Sequence, residues 1–182
     1  DSGLELQLDY VEAAIRIQKG SETLATVPLA GHSQGALLDQ TLTHLAEAGA
    51  PLEPSRKKII HEAPLEVDTA TAGRYAETQR RLADALRSFR QHLPGTRTPV
   101  VLWPHHFDVA FLRFTTDGTD EHKHPQVGTG FAPQSEGFPD PYLYVYAWPM
   151  PDGLLETPVP EPARWVSEGF TGVVVDYAEL AA

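Results

Sequence analysis

The chain has 182 residues, 41% hydrophobic and 21% charged, with a formal net charge of −11 and no cysteine. Its length suits about one domain, and the lack of thiols excludes disulfides, thiolate metal sites and cysteine nucleophiles. The acidity argues against nucleic acid and anionic membrane surfaces as partners, because both recruit basic faces.

No run reaches the ~20 apolar residues of a membrane span, and no charged n-region precedes an apolar h-region as in a signal peptide. A cytoplasmic location is expected. The chain opens with Asp1 rather than Met, so the expectation is one domain over residues 1–182, truncated at its ends.

Leu4, Leu6, Leu8 and Tyr10 alternate with polar residues, which predicts a half-buried strand. Ile15 and Ile17 mark a second strand, Lys19-Gly20-Ser21 a hairpin turn, and Leu24 to Pro28 a third strand. A helix is expected from Ser33 to Ala48, with Leu38, Leu42 and Leu45 on its inner face and Gly49 just past its end. Residues 50–70 form a Pro-punctuated connector with a short strand at Lys58-Ile59-Ile60. The clearest helix is Thr71 to Leu93, where Tyr75, Leu82, Leu86, Phe89 and Leu93 fall on one face. Pro94-Gly95 stops it.

Pro99 to Trp103 reads as a short strand. In Val109 to Phe114 both alternating faces are apolar, so this strand should be central and covered on both sides. Residues 116–141 are polar and rich in Gly and Pro, which predicts a long loop. Tyr142 to Trp148 is an aromatic strand, Pro160 to Gly169 a short helix, and Val173 to Val175 a last strand. The fold class expected is α+β: an antiparallel sheet with two main helices packed on one face.

Gly31-His32-Ser33-Gln34-Gly35 spells the G-x-S-x-G of a serine hydrolase elbow. The order Ser33, Asp108, His124 would permit a triad. The surrounding pattern opposes it. An elbow follows a central parallel strand, whereas Pro28 cannot donate to a ladder and belongs at an edge or strand end. The preceding residues read as an antiparallel meander. Serine is also a preferred helix N-cap, and that is the role expected of Ser33.

His105 and His106 form one cluster and His122 and His124 another, with Asp108, Asp120 and Glu121 nearby. Imidazole and carboxylate donors suit zinc, nickel, iron or manganese, so a metal-dependent enzyme is one alternative. The spacing matches no fixed ligand motif, and the expectation is that no metal site forms. The sequence names no cofactor.

Tyr142, Tyr144 and Tyr146 share one face of their strand by its two-residue period. Such a face packs under a loop, binds a partner chain or lines a pocket.

"VVLWPHHFDVAFLRF" resembles a block F-W-x-x-F-D-L-A-x-x-R-F, and "SEGF" followed by "YLYVYAWPMPDG" resembles G-F-W-P-G and F-Y-x-Y-x-Y-P-x-P. On these blocks the chain resembles the bacterial family called domain of unknown function 5996. The resemblance covers about residues 55–180, and the opening segment fits more loosely. The matched positions are Trp103, Phe107, Asp108, Arg113, Phe114, His124, Gly137, Phe138, Tyr144, Tyr146, Pro149 and Pro151. The family's S-H-E is absent, and "GFPDP" lacks its tryptophan. Members extend beyond this chain at both ends. The family implies no activity.

Asp108 and Arg113 are five apart on one strand and lie on opposite faces. Arg113 is a candidate to clamp an anion with its fork, or to pair with Glu62 or Glu136. If the strand of Asp108 and the aromatic strand are neighbours, Phe111 and Arg113 lie beside Tyr144 or Tyr146. The candidate ligand site is therefore His106, Asp108, Arg113, His124 and Tyr144, suited to a small acidic or aromatic ligand. The remaining alternative is a structural or interaction domain.

Overall fold

The computed structural model describes residues 3–57, 59, 61–104 and 106–180. The class is α+β, and the strands are divided between two sheets, each antiparallel. The chain forms two compact units, residues 1–78 and 79–182.

The first unit holds a three-stranded sheet: β1 (Leu4–Asp9), β2 (Ala14–Lys19) and β3 (Glu22–Pro28), paired in that order. The turn after β1 is set by Asp9, whose Oδ1 accepts from the amides of Val11 and Glu12, both at 2.9 Å. These amides, with Arg16 at 3.0 Å, hold the Asp9 carboxyl below its usual range. Ile17 and Val27 are fully buried, and helix α1 (Gln34–Glu47) packs on β2 and β3.

The buried face of α1 is Leu37, Thr41 and Leu45. The sequence reading thus had Leu45 in place but set the rest of the face one residue late. β3 is an edge strand of an antiparallel sheet, and Pro28 ends it.

Ser33 stands at the N-cap of α1 in relaxed extended backbone (φ −74°, ψ 163°), and its Oγ accepts from the amide of Ala36 at 3.2 Å. This is a capping serine, not a strained elbow. Ser33→Ala should lower stability by about 1 kcal/mol. Thermal melts of the two proteins check this, and labelling of Ser33 by a fluorophosphonate at neutral pH would contradict the capping role.

Helix α2 (Thr69–His92) begins two residues earlier than its periodicity indicates. Asp68 caps it, accepting from the amides of Ala70 and Thr71 at 3.0 and 3.3 Å. The strand expected at Lys58-Ile59-Ile60 includes two residues outside the described set.

The second unit holds β4 (Val101–Trp103), β5 (Asp108–Phe114), β6 (Gln126–Ala132), β7 (Tyr142–Trp148), β8 (Arg164–Val166) and β9 (Gly172–Asp176). They pair in the order β4-β5-β6-β7-β9-β8, all antiparallel. β5 is nearly buried along its whole length, as its two apolar faces require. One face, with Val109 and Phe111, packs on Ala83 and Leu86 of α2, joined by Leu93 and Val100. The other face carries the aromatic strand's tyrosines and a second core of Ala132, Phe138, Tyr142 and Val174.

Two expectations are corrected here. Residues 116–141 are not one loop, because they contain β6. Residues 160–169 contain the short edge strand β8 rather than a helix. β8 is fastened to β9 by the ladder and by Arg164 on Asp176 at 3.0 Å.

Candidate functional site

β6 explains the site. Its sequence QVGTGFA alternates small and large residues, so Gly128, Gly130 and Ala132 share one face. The register sets Tyr146 opposite Gly128, Tyr144 opposite Gly130 and Tyr142 opposite Ala132. The tyrosine rings lie down over this floor of small residues. A Cβ on Gly128 would come within 2.2 Å of the Tyr146 ring, and one on Gly130 within 2.7 Å of Tyr144.

Laid across β6, Tyr144 reaches β5, where its hydroxyl donates to Asp108 Oδ2. The rings of Tyr144 and Tyr146 stack with centroids 6.1 Å apart, and Tyr142 follows at 6.0 Å from Tyr144. Phe170 closes on Tyr144 edge to face at 6.0 Å. The Tyr142 hydroxyl is 2.6 Å from Ser135 Oγ.

Over this floor lies a cavity of ≈ 670 Å³. Its wall includes the three tyrosines, Trp103, Trp148, Phe170, Asp108, His106 and Glu136. Asp108 opens β5 opposite Trp103 of β4. The preceding Phe107 has φ 61°, a left-handed backbone that costs a bulky residue about 1–2 kcal/mol. That turn, closed by the Phe107 amide on the Trp103 carbonyl at 2.8 Å, feeds Asp108 onto the tyrosine face.

Asp108 is 7% exposed, and its Oδ1 is buried with no hydrogen-bond partner among the described residues. Burial foremost, and then the Asp108 carboxylate beside it, drive the Tyr144 hydroxyl far above its ordinary range. Burial likewise raises Tyr142 and Tyr146, the latter also through Glu121 and Asp108. All three phenols therefore stay protonated near neutral pH. They offer hydrogen-bond donors and π faces, and no phenolate nucleophile.

Of the five residues singled out from sequence, His106, Asp108 and Tyr144 line the cavity. Arg113 and His124 do not. β6 separates β5 from β7, so the expected pairing of the two strands does not occur. The odd spacing from Asp108 also puts Arg113 on the opposite face. There its Nε donates to the Pro94 carbonyl at 2.8 Å, and it makes no ion pair among the described residues. The His124 ring lies over Gly118, where a Cβ would come within 2.3 Å of it.

The polar turn before it is built by Asp120, whose Oδ1 accepts from the His122 amide at 3.0 Å and whose Oδ2 meets Lys123 at 2.8 Å. Those contacts hold the Asp120 carboxyl below its usual range. His105 lies outside the described residues. Among the described residues no group of three or more His, Asp or Glu is placed to hold a metal ion.

The match of this chain to known proteins is at family level. A model described as "Family of unknown function (DUF5996)" matches residues 1–182. The chain belongs to the DUF5996 family. In this DUF5996 chain the match takes in the first sheet and α1 as well as the aromatic half. No curated protein and no solved structure matches it. Among its described residues no helix is long and apolar enough to cross a membrane.

The sequence missed Gly128, Gly130, Ser135, Glu136 and Phe170 as parts of the site. The small–large alternation of QVGTGFA was the signal for the first two. The others come from the segments that flank β7 and β9, and no local pattern marks them.

Proposed function

We propose that this domain binds a small organic molecule with a flat or apolar body in the cavity over the tyrosine floor. Ligand sites have volumes of about 300–1,000 Å³, mostly apolar walls and a few fixed polar groups. The cavity has that size and composition. The observation that carries the reading is Asp108, a buried carboxylate on the cavity wall with one oxygen lacking a partner among the described residues. A buried polar atom left unpaired is costly, and a ligand donor removes that cost once a small turn of the carboxyl brings this shielded oxygen to the cavity.

The small acidic ligand suggested by Arg113 is not supported, since Arg113 lies away from the wall and Asp108 and Glu136 are on it. A partner chain laid on the tyrosines is the competing use of the same face.

The test is a ligand-observed NMR screen of ring-containing fragments, with tyrosine side-chain shifts followed in the protein. Fragments should shift Tyr142, Tyr144 and Tyr146 together. Thr171 also lines the cavity, and Thr171→Trp should fill it and abolish the shifts while the circular dichroism spectrum is retained. No binding at millimolar fragment, or equal binding by Thr171→Trp, sinks the reading.

A further inference from the structure

We propose that the cavity takes a protonated amine: an ammonium group with at least one N–H, carried on a flat apolar body. This rests on the reading that the cavity binds a small molecule, and it names that molecule's chemical class.

The charges on the wall point one way. Asp108 and Glu136 contribute carboxylates, and no Lys or Arg lines the cavity among the described residues. His106, also on the wall, is exposed. An anion entering here would meet carboxylates with no Lys or Arg beside them among the described residues. A neutral ligand would leave the favourable field unused.

The floor points the same way. Tyr142, Tyr144 and Tyr146 present successive rings, and the negative face of an aromatic ring attracts a cation within about 6 Å. Burial keeps their hydroxyls protonated.

Asp108 then selects among cations. Its Oδ2 is taken by Tyr144, and its Oδ1 has no partner among the described residues and meets the cavity after a small turn of the carboxyl. A quaternary ammonium satisfies the rings but has no hydrogen to give Oδ1, whereas a protonated amine satisfies both. A metal ion fits poorly, because no three ligating side chains converge among the described residues.

Four probes of similar shape decide the matter: phenethylammonium, phenethyltrimethylammonium, 2-phenylethanol and phenylacetate. Affinities are measured by isothermal titration, with tyrosine shifts as the site readout. Phenethylammonium should bind about tenfold or more tighter than 2-phenylethanol, the gain expected of a charge-assisted hydrogen bond. The trimethylated probe should fall between them and phenylacetate should bind weakest. Asp108→Asn keeps the side chain's shape and should erase the preference for amine over alcohol. Glu136→Gln changes an exposed residue and should weaken the amine about twofold. With the wild-type ratio, it keeps the proposal testable if Asp108→Asn does not fold.

Equal affinities for amine and alcohol, or tightest binding of phenylacetate, would overturn the amine class while leaving the cavity a binding site. An amine preference that survives in folded Asp108→Asn would also overturn it. If none of the four probes moves a tyrosine resonance, the binding reading itself fails, and the amine class falls with it.

Discussion

Phe111→Ala should be among the most destabilising single changes in the chain, costing about 3–5 kcal/mol. Phe111 is 0% exposed at the middle of β5 and packs against Ala83, Leu86 and Val109. The sheet on either side of it is paired, so the backbone has little freedom to close over the void. A domain's whole stability is about 5–15 kcal/mol, and the loss takes a large share of it. All three tryptophans, Trp103, Trp148 and Trp165, lie in the second unit. Urea unfolding followed by tryptophan fluorescence therefore reports on the unit that holds the substitution. The midpoint should fall with little change in slope. A loss below about 1 kcal/mol would mean that the Ala83, Leu86 and Phe111 packing is not the core of this unit.

Gly130→Ala is expected to destabilise as well, and its sign is informative. In an open strand, alanine gains about 0.5–1 kcal/mol over glycine from backbone entropy. Here the new Cβ would stand 2.6 Å from the Ala110 Cβ and 2.7 Å from the Tyr144 ring. Ala110 is fixed by its strand, so the ring must lift. Lifting it strains the floor and removes the donor from Asp108 Oδ2. Overpacking and a stranded buried acceptor together put the cost at about 3 kcal/mol. A double-mutant cycle with Tyr144→Phe separates the parts. If displacement of the hydroxyl is the mechanism, Gly130→Ala should cost less when Tyr144→Phe is already present, with a coupling above about 0.5 kcal/mol. A stabilising Gly130→Ala would show that the ring does not rest on β6.

These two residues also mark how far the sequence could be read. Around Phe111 both alternating faces are apolar, and that alone placed β5 inside the sheet. Ser33 announced its cap through residue type and position, and the tyrosine alternation placed three rings on one face. Gly130 carries no such signal by itself. Glycine is a poor strand former, so a segment with glycines at 128 and 130 in a polar, Gly- and Pro-rich stretch reads as loop. It is a strand because tyrosines on the neighbouring strand need the room, and that requirement lies more than ten positions away in the chain. Losing β6 from the reading brought β5 and β7 together and set Arg113 beside the tyrosines. Two-residue periodicity gave each side chain its face, but strand order is a tertiary property that periodicity does not contain.

The stripe of Gly128, Gly130 and Ala132 also acts as a key for alignment between β6 and β7. A slip of one residue turns a strand's entire pattern to the wrong face. The smallest slip that preserves the faces is two residues. In one direction it brings Tyr146 onto Gln126, a larger side chain that is 6% exposed. In the other it carries Tyr142 past Ala132, beyond the end of the strand. Three rings matched to three small residues fit in one alignment alone. The gap left for the rings thereby makes mispaired hairpins unfavourable during folding, whatever occupies the cavity afterwards.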